Sequence, residues 1–450
     1  MSGLMKNNDR LPEGWDIVTL NDICEINPRL DKSKIPADLE VAFVPMASVG
    51  AGDGKIDVSY KRPFSEVKKG FTPFQAGDVL FAKITPCMEN GKIVVVPHLE
   101  NNCGFGSTEF HVIRPKDVVD ARYIYYYISK LDYRKEAASK MTGAVGQKRV
   151  PANFVKLSTI LLAPLNEQKL IVSEIEKQFS RLDEAVAALK RVRASLKRYK
   201  ASVLKAAVEG KLTEEWRKQN PNIEPADKLL KRILLERKKK WEETKPKKKY
   251  KEPVAPDTSN LPELPKGWGW VNFVQLVSAN KNSIKRGPFG SAIKKAYFVQ
   301  EGYKVYEQQN AIYNNFKLGN YYINEEKYNE LSGFTVNSGD FIVSCSGTIG
   351  KIAQMPESAE KGVINQALLK ITIDHKLILS KYFLYLFKSY DFQKMFLKDI
   401  RGTAMKNIAS VEDLKLIPVA LPPANEQTVI IEEIESRLSV AEEIEEAINI

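Results

Sequence analysis

The tripeptide Asn-Glu-Gln occurs at 166–168 and again at 425–427, and each copy opens a long heptad pattern of apolar residues. The offset is 425 − 166 = 259 residues, and the same offset pairs Pro164 with Pro423. A repeat of this length lies far outside the roughly 20–50 residues of solenoid repeats. The sequence therefore predicts one module written twice, in which a globular head is followed by a helix. Two similar heads on two similar helices suit a target with two halves.

Short runs rich in β-branched residues, bounded by Gly, Pro or Asn, predict strands in each head. In the first head they are Val41–Val44, Asp78–Ile84, Lys92–Val96 and Glu109–Ile113, and in the second head they are Phe341–Ser344, Lys351–Gln354 and Leu368–Ile373. Tyrosines and isoleucines at helical spacing predict one helix in each head, at Ala121–Lys140 and at Ser380–Phe396. The predicted fold class is α+β.

The long helices carry apolar residues at strict intervals of seven, which predicts pairing along a coiled-coil seam. The seam positions are Ile175, Leu182, Leu189, Leu196 and Val203 in the first helix, and Ile434, Ala441 and Ile448 in the second. Asn166 is the expected N-cap of the first helix, and Gly210 is expected to end it. The first helix is basic in its second half and the second helix is acidic, so we expect the two to pair antiparallel.

These patterns divide the chain into five parts. We expect the first head at 1–165, a long helix at 166–210, a basic spacer at 211–260, the second head at 261–424 and a second long helix at 425–450. A short helix is expected at Leu229–Trp241, and the spacer as a whole is interpreted as a solvated linker, with phosphate or protein contact as the alternative. By its template the second helix would run to about 208 + 259 = 467, so we expect a truncation after Ile450.

Composition narrows the partners and the compartment. The net charge is +12 and the sequence pI is about 9.2, which favours nucleic acid, an anionic surface or an acidic protein as partner. No apolar run approaches the roughly 18 residues of a membrane helix. The N-terminus has no secretory pattern, and four scattered cysteines without a CxxC motif predict reduced thiols in a cytoplasm. We expect no metal site, because the three histidines lie far apart in sequence.

Motifs for catalysis are weak throughout the chain. Gly347–Lys351 is too short for a phosphate-binding loop and is followed by Ile352 in place of the required Ser or Thr. Pro86-Cys87 is similar to the nucleophile loop of cytosine-5 methyltransferases, but the second head does not repeat the pair at the offset of 259. The sequence therefore predicts a recognition protein that is not itself an enzyme.

Polar and basic side chains in the loops between strands are the candidates for DNA contact, since these residue types read base edges and hold phosphates. In the first head they are Lys83, Thr85, Asn90, Lys92, Ser107, Thr108, Gln147, Lys148 and Arg149. In the second head they are Lys285, Arg286, Lys294, Gln308, Asn310, Ser344, Ser346, Lys351, Asn365, Gln366, Arg401, Lys406 and Asn407.

Taken together, these features resemble the specificity (S) subunits of type I restriction–modification systems. The resemblance is carried by the head starts Leu11–Trp15 and Leu264–Trp268, by Asp78–Lys92, Gly104–Pro115 and Gly339–Lys351, by the helix starts at 164–168 and 423–427, and by Glu209–Arg217. It covers nearly all of the chain. The C-terminus departs from the family pattern, because a second Gly-Lys-Leu-Thr-like tail does not follow Ile450.

The resemblance implies two target recognition domains, each reading half of a bipartite site in double-stranded DNA, joined by long helices that pair as an antiparallel coiled coil and set the spacer. It implies assembly with two methyltransferase (M) subunits, with or without two restriction (R) subunits. S-adenosylmethionine, ATP and Mg would then belong to those partners, with no cofactor in this chain. The alternative is a coiled-coil interaction or regulatory protein whose two heads bind proteins.

Overall fold

The structure is a computed structural model that describes residues 11–144, 146–245, 247, 249–399 and 406–448. For Gly290, 398–399 and 406–407 it describes the backbone alone. The chain divides into two compact units, Met1–Ala187 and Ala188–Ile450, and the division falls inside one long helix. Each unit contains one head. None of the helices in the described residues combines the length and the apolar character that a membrane span requires.

The first head is built from short strands and short helices. Its strands are β1 (Asp16–Thr19), β2 (Cys24–Ile26), β3 (Glu40–Val44), β4 (Lys61–Pro63), β5 (Thr72–Gln75), β6 (Val79–Ala82), β7 (Ile93–Val95), β8 (Cys103–Gly106), β9 (Phe110–Pro115) and β10 (Thr159–Leu162). Its helices are α1 (Leu20–Ile23), α2 (Phe64–Val67), α3 (Ala121–Ser129), α4 (Leu131–Ser139) and α5 (Ala152–Leu157). The long helix α6 (Leu165–Val208) follows.

The second unit contains the end of α6 and continues with α7 (Glu214–Gln219) and α8 (Ala226–Thr244). The strands of its head are β11 (Gly269–Asn272), β12 (Ile284–Arg286), β13 (Phe298–Val299), β14 (Tyr303–Tyr306), β15 (Tyr322–Ile323), β16 (Thr335–Val336), β17 (Phe341–Ser344), β18 (Ile352–Gln354), β19 (Gly362–Ile364), β20 (Leu368–Ile371), β21 (Leu397–Asp399), β22 (Lys406–Ile408) and β23 (Pro418–Leu421). The helices are α9 (Phe273–Leu276), α10 (Gln308–Ile312), α11 (Glu325–Glu330), α12 (Ser380–Lys388), α13 (Tyr390–Phe396), α14 (Val411–Lys415) and α15 (Ala424–Ile448).

The two heads share a core topology, to which the second head adds β13 and the pair β21-β22. The four-stranded antiparallel sheet β2-β9-β6-β7 in the first head has its counterpart in β12-β20-β17-β18 in the second. A second sheet in each head contains one parallel pair, β3 with β8 and β14 with β19. The first and last strands of each head close on each other, as β1-β10 and β11-β23. The α+β fold class predicted from the sequence is confirmed.

The single helix predicted in each head is wrong in one detail, because each is two helices. The break falls at Lys130 in the first head and at Ser389 in the second, where the backbone leaves the helical region. The two positions differ by 259, so the break is part of the repeat. At the second break the Ser389 side chain accepts a hydrogen bond from the Phe392 N–H, which caps the new helix.

The repeated glutamine ties each long helix to its head. Gln168 is fully buried; its Oε1 accepts from the Asp120 N–H, and its Nε2 donates to the carbonyls of Val118 and Ala163. Gln427 is equally buried, and it makes the same three contacts with Leu379, Leu377 and Pro422. Every one of these partners is displaced by 259. In each head the buried glutamine therefore links the start of the long helix to the start of α3 or α12 and to the end of the last strand.

The expected N-cap at Asn166 is corrected by the structure. Helix α6 begins at Leu165, so Asn166 lies inside the first turn. The carbonyl of Pro164 accepts from the N–H groups of Glu167 and Gln168 at 2.8 and 3.0 Å, which places proline just before the helix. The expected end at Gly210 is confirmed: Gly210 has φ +70°, and a Cβ there would lie 2.8 Å from Pro265.

Helix α15 runs antiparallel to the end of α6. Lys200 on α6 forms an ion pair with Glu445 at 2.7 Å, whereas Val203 and Ala207, further along α6, share a core cluster with Ile430, Ile431 and Ile434 near the start of α15. The apolar seam and the basic-to-acidic complementarity thus act together in this stretch. Leu196, Val203, Ile434 and Ala441 are buried, as the heptads predict.

The seam prediction does not hold along the whole of α6. Leu182 is 58% exposed and Leu189 is 46% exposed, while Ile175 and Ile448 are half-buried. With Lys200 beside Glu445, the described residues of α15 extend only three positions further, so they do not reach the position opposite Leu189. Other exposed apolar side chains on α6 are Leu170, Phe179, Val186 and Val192.

The spacer after α6 is folded onto the second head, which corrects its interpretation as a solvated linker. The predicted helix at Leu229–Trp241 is present and slightly longer, as α8. Its residues Ala226, Leu229 and Ile233 are buried in the same core cluster as Trp268 and Phe273 of the head. An ion pair between Arg237 and Asp374 at 2.7 Å fixes the outer half of the helix.

Candidate nucleic-acid interface

Three loops meet at one end of the first head. They follow β6 (83–92), β8 (106–109) and α4 (140–151), and backbone hydrogen bonds join them. The Lys83 N–H donates to the Glu109 carbonyl at 2.9 Å, and the Thr85 N–H donates to the Lys148 carbonyl at 3.0 Å. All nine predicted contact residues of this head lie in these loops, so the structure brings them together.

Not all of the nine side chains face solvent freely. The Arg149 guanidinium binds both carboxylate oxygens of Glu109, at 2.9 and 2.8 Å, and this contact lowers the pKa of Glu109. The Lys92 ammonium donates to the Met46 carbonyl at 2.8 Å, and Thr85 donates to Glu89. These three residues hold the loops in place, whereas Asn90, Thr108, Gln147 and Lys148 present exposed side chains, with Lys83 and Ser107 half-buried between them.

The second head gathers the ends of the corresponding strands. The Gly287 N–H, after β12, donates to the Leu368 carbonyl at 2.8 Å, and the Cys345 N–H donates to the Ala367 carbonyl at 2.8 Å. A Cβ at Gly287 would lie 1.8 Å from the Asn365 carbonyl oxygen, so only glycine permits this approach. Exposed polar side chains around this point are Arg286, Ser346, Lys351 and Gln366, with Lys285 and Asn365 half-buried beside them. Lys294 is exposed further along the chain, beyond the Gly290–Ala292 turn.

Two predicted contact residues of the second head are corrected by their burial. Asn310 is fully buried, and its Nδ2 donates to the carbonyls of Asn315 and Leu318. Ser344 is also fully buried; its hydroxyl donates to the Thr348 carbonyl and accepts from the Lys351 N–H. A buried side chain whose polar atoms are already bonded does not reach a base edge. Both residues instead brace the loops that carry their neighbours.

Gln308 differs from its neighbour Asn310. Its Oε1 is buried and has no hydrogen-bond partner among the described residues. An unpaired acceptor of this kind costs stability unless a ligand or water donates to it. The amide Nε2 of Gln308 lies 4.0 Å from the position of a Cβ built on Gly347, which places the side chain beside the loop after β17. Gln308 therefore remains a candidate for reading in this head.

Three predictions fall at the limit of the described chain. Arg401 lies outside the described residues. Lys406 and Asn407 belong to β22, which pairs with β21, and their side chains are not described.

The equivalent loops of the two heads differ in length. In the first head the Ala82 N–H donates to the Lys92 carbonyl, and in the second head the Ser344 N–H donates to the Lys351 carbonyl. Between these bonds lie nine residues (83 to 91) in the first head and six (345 to 350) in the second. The loops therefore differ between the heads, whereas the hydrogen bonds of the buried glutamines Gln168 and Gln427 repeat.

Sequence reasoning missed one exposed residue at this edge. Phe289 is 89% exposed and follows Arg286 in the loop after β12. Single exposed apolar side chains are common on protein surfaces, so Phe289 adds an accessible apolar contact beside the basic residues without marking a site by itself. The only sequence signal is its position in a Gly-Pro-Phe-Gly turn.

The described residues contain no group of three or more His, Cys, Asp or Glu side chains placed to hold a metal. Cys345 is buried, and burial raises the pKa of its thiol to about 12, so it remains protonated near neutral pH. The site thus consists of hydrogen-bonding and basic groups on paired loops.

A family model described as "Type I restriction modification DNA specificity domain" matches residues 12–197 and 287–450. The chain belongs to this family. The chain is 30% identical to the type I restriction enzyme EcoAI specificity subunit of Escherichia coli, over 74% of this chain and 62% of that protein. It is 29% identical to the EcoEI specificity subunit of Escherichia coli, over 96% of this chain and 79% of that protein.

Solved structures agree on the fold. The HsdS subunit from Thermoanaerobacter tengcongensis superposes with a TM-score of 0.61 at 19% identity, covering 99% of this chain and 94% of that one. A chain from a study of assembly and conformational transition of the type I R-M system gives a TM-score of 0.56 at 20% identity, covering 98% of this chain and 94% of that one. The fold with two heads and long helices is the fold of these subunits.

Proposed function

We propose that this chain is the DNA specificity subunit of a type I restriction–modification complex, in which each head reads one half of a bipartite site. The observation that carries the proposal is the contrast within each head: the junctions repeat residue for residue, while the loops that expose polar side chains differ in sequence and length. Two different half-sequences read from one shared scaffold require this pattern. Loops between strands are also where binding residues usually sit.

Contacts within the loops support separate roles for their residues. In the first head, Gln147 and Lys148 are exposed on a loop held by the Arg149–Glu109 ion pair, so they contact DNA while Arg149 supports them. In the second head, Gln308 offers an unpaired carbonyl oxygen that would accept from the amino group of adenine or cytosine. Exposed lysines and arginines around both sites supply contacts to phosphates.

The long helices set the distance between the half-sites and dock two methyltransferase subunits, with or without two restriction subunits. Helix α6 has 44 residues, or roughly 66 Å at 1.5 Å per residue. Its exposed apolar side chains, among them Leu170, Phe179 and Leu182, offer a surface for such a partner. Methyl transfer from S-adenosylmethionine and ATP-driven, Mg-dependent cleavage belong to the partner subunits, and this chain is the non-catalytic recognition component in the cytoplasm.

The test is methylation of a random-sequence DNA library by the chain with its methyltransferase partner, followed by sequencing for methylated adenine. A unique bipartite motif is expected. Replacing Gln147 and Lys148 by alanine should relax one half of the motif only, and Gln308→Ala should relax the other half only, so each variant is the control for the other. Deleting seven residues of α6, 183–189, should shorten the spacer by about three base pairs, since seven residues span roughly 10 Å.

Equal loss at both halves in either head variant would refute the division of labour between heads. An unchanged spacer in the deletion variant would remove the spacing role of the helix. Methylation without any motif would favour the alternative in which the heads bind proteins.

A further inference from the structure

A long open groove of about 1980 Å³ runs along the second unit, between α8 and its own head. One wall is α8 with the segment that follows it, including Lys240, Trp241 and Lys249. The other wall is formed by the loop before β12, by β12 itself and by the residues around Lys376. The reading candidates Lys285, Arg286 and Gln366 also line it. The groove is therefore continuous with the candidate interface of the second head.

The described residues that line the groove are strongly basic. Its cations are Arg237, Lys240, Lys245, Lys249, Lys251, Lys281, Lys285, Arg286, Lys376 and Lys415, and its anions are Glu236, Glu330, Asp374 and Glu412. This gives a net charge of 10 − 4 = +6. All four anions are already paired with cations: Asp374 with Arg237, Glu236 with Lys376, Glu412 with Lys415 and Glu330 with Lys327, which lies outside the groove.

Subtracting the three pairs internal to the groove leaves seven cations against Glu330. Holding so many like charges along one channel costs free energy unless an anion with many regularly spaced charges binds there. The phosphate backbone of nucleic acid is such an anion.

The basic wall is held in place before any ligand binds. Helix α8 is anchored by its buried residues Ala226, Leu229 and Ile233 and by the Arg237–Asp374 ion pair, whose side chains are 8% and 18% exposed. Beyond the helix, the Lys245 ammonium lies 4.1 Å from the centre of the Trp241 ring, a cation–π contact. Because α8 is anchored in this way, binding at its lysines loses less conformational entropy than binding to a flexible lysine-rich linker would.

From these observations we propose that the groove holds the DNA backbone beyond the second half-site, through phosphate contacts that carry no sequence information. The proposal rests on the proposed function, since it needs DNA to be seated on the second head. It gives the segment 226–251 a role in affinity, separate from the role of the loops in specificity.

The decisive variant replaces three groove lysines, Lys240→Gln, Lys245→Gln and Lys249→Gln. The control replaces three lysines of α8 that do not line the groove, Lys228→Gln, Lys231→Gln and Lys239→Gln, which removes the same amount of charge. Binding of the full chain with its methyltransferase partner to a 40-base-pair duplex would be measured by fluorescence anisotropy over a series of KCl concentrations.

Each lost phosphate contact should reduce the slope of log K against log salt by about 0.9, so the groove variant should lose up to about 2.7 while the control keeps the wild-type slope. At 0.1 M salt the groove variant should bind at least tenfold more weakly, and its methylated motif should be unchanged. An equal slope in groove variant, control and wild type would overturn the proposal.

A second measurement uses the unmodified chain. Ethylation of phosphates just outside the half-site that depends on Gln308 should interfere with binding, and the absence of interference there would also overturn the proposal. If the groove variant instead loses its methyltransferase partner while the salt slope stays, the groove binds an acidic protein and the proposal is wrong.

Failure of the proposed function would look different. It would appear as methylation by the wild-type complex without a motif, whatever the groove variant does. In that case the salt slope on a duplex of arbitrary sequence would still report whether the groove holds phosphates.

Discussion

The two helix–head junctions share their motif but differ in burial. In the first junction, Glu167 is exposed and accepts a hydrogen bond from the Trp15 indole N–H at 2.9 Å. In the second, Glu426 is fully buried and accepts from the Trp268 indole at 2.9 Å, from the Thr213 hydroxyl at 2.6 Å and from Arg217. The repeated tryptophan and glutamate make the same bond twice. The segment after α6 covers only the bond between Trp268 and Glu426, so this bond lies in a buried charge network whereas its counterpart lies at the surface.

A repeated motif can therefore form the same hydrogen bond twice while the contribution of that bond to stability differs between the two copies. An exposed hydrogen bond is in competition with water, whereas a buried carboxylate left without its cation carries the full cost of desolvation. The glutamate of the repeated motif therefore makes a surface contact in the first unit and is part of a buried charge network in the second.

The largest expected effect separates the two glutamates. Glu426→Ala should lower the free energy of unfolding of the second unit by about 3–5 kcal/mol, because it removes the carboxylate partner of Arg217 and leaves the Trp268 N–H without an acceptor in a buried site. Glu167→Ala should cost the first unit less than about 1 kcal/mol. Urea unfolding followed by hydrogen exchange, resolved by unit, would measure both. Similar losses for the two variants would show that covering Glu426 with the segment after α6 does not change how much the glutamate contributes to stability.

The neighbouring glutamines are the control for this pair. Gln168 and Gln427 are both fully buried and make three equivalent hydrogen bonds each. Replacing either by alanine should cost a similar amount, about 2–4 kcal/mol, in its own unit. A large difference between the glutamine variants would mean that the two units respond unequally to any change at the junction.

A smaller effect is expected at the repeated tyrosines, which also differ by 382 − 123 = 259. The Tyr123 hydroxyl donates to the Leu161 carbonyl at 2.7 Å, whereas the buried Tyr382 hydroxyl has no hydrogen-bond partner among the described residues. Tyr123→Phe should therefore destabilise the first unit by about 0.5–1.5 kcal/mol, and Tyr382→Phe should leave the second unit unchanged or slightly more stable. A loss at Tyr382 equal to that at Tyr123 would contradict this prediction.

The smallest effect concerns pH and the pair His111 and Lys370, which differ by 259. Burial lowers the pKa of His111, whose ring lies 2.8 Å from the Val150 carbonyl, and burial also lowers the pKa of Lys370. Around pH 6 the unfolded chain therefore binds more protons at His111 than the folded chain does. The stability that neutral His111 contributes is complete above about pH 6.5 and is lost as the pH falls below that value. For Lys370 the corresponding pH range lies just below the pKa of lysine in an unfolded chain, which is about 10.4.

Between pH 7.5 and 5.5 the first head should therefore lose stability at this position, while the second head should not. Hydrogen exchange of the β9 and β20 amides at the two pH values would show it. His111→Asn should abolish the difference, and a pH response that survives this substitution must come from another group.

The sequence by itself determined the local architecture. The strand runs at Val41–Val44 and Phe341–Ser344 and the repeat at 259 encode local structure, and the structure reproduces them. The heptad positions of α6 are buried at Leu196 and Val203 but exposed at Leu182 and Leu189. Polar loops could also be recognised as the candidate site, because turn residues and short polar segments mark the ends of strands.

Only the tertiary structure decided how these parts are used. It buried Asn310 and Ser344, paired Arg149 with Glu109, docked α8 onto the second head, and covered Glu426 with Thr213 and Arg217. The partners lie from 4 to 213 positions away, and the residue types at these positions do not by themselves specify which partner each side chain meets. The repeat determined that there are two junctions; the fold of the segment between them determined that the two are unequal, because burial sets the energy of a charge.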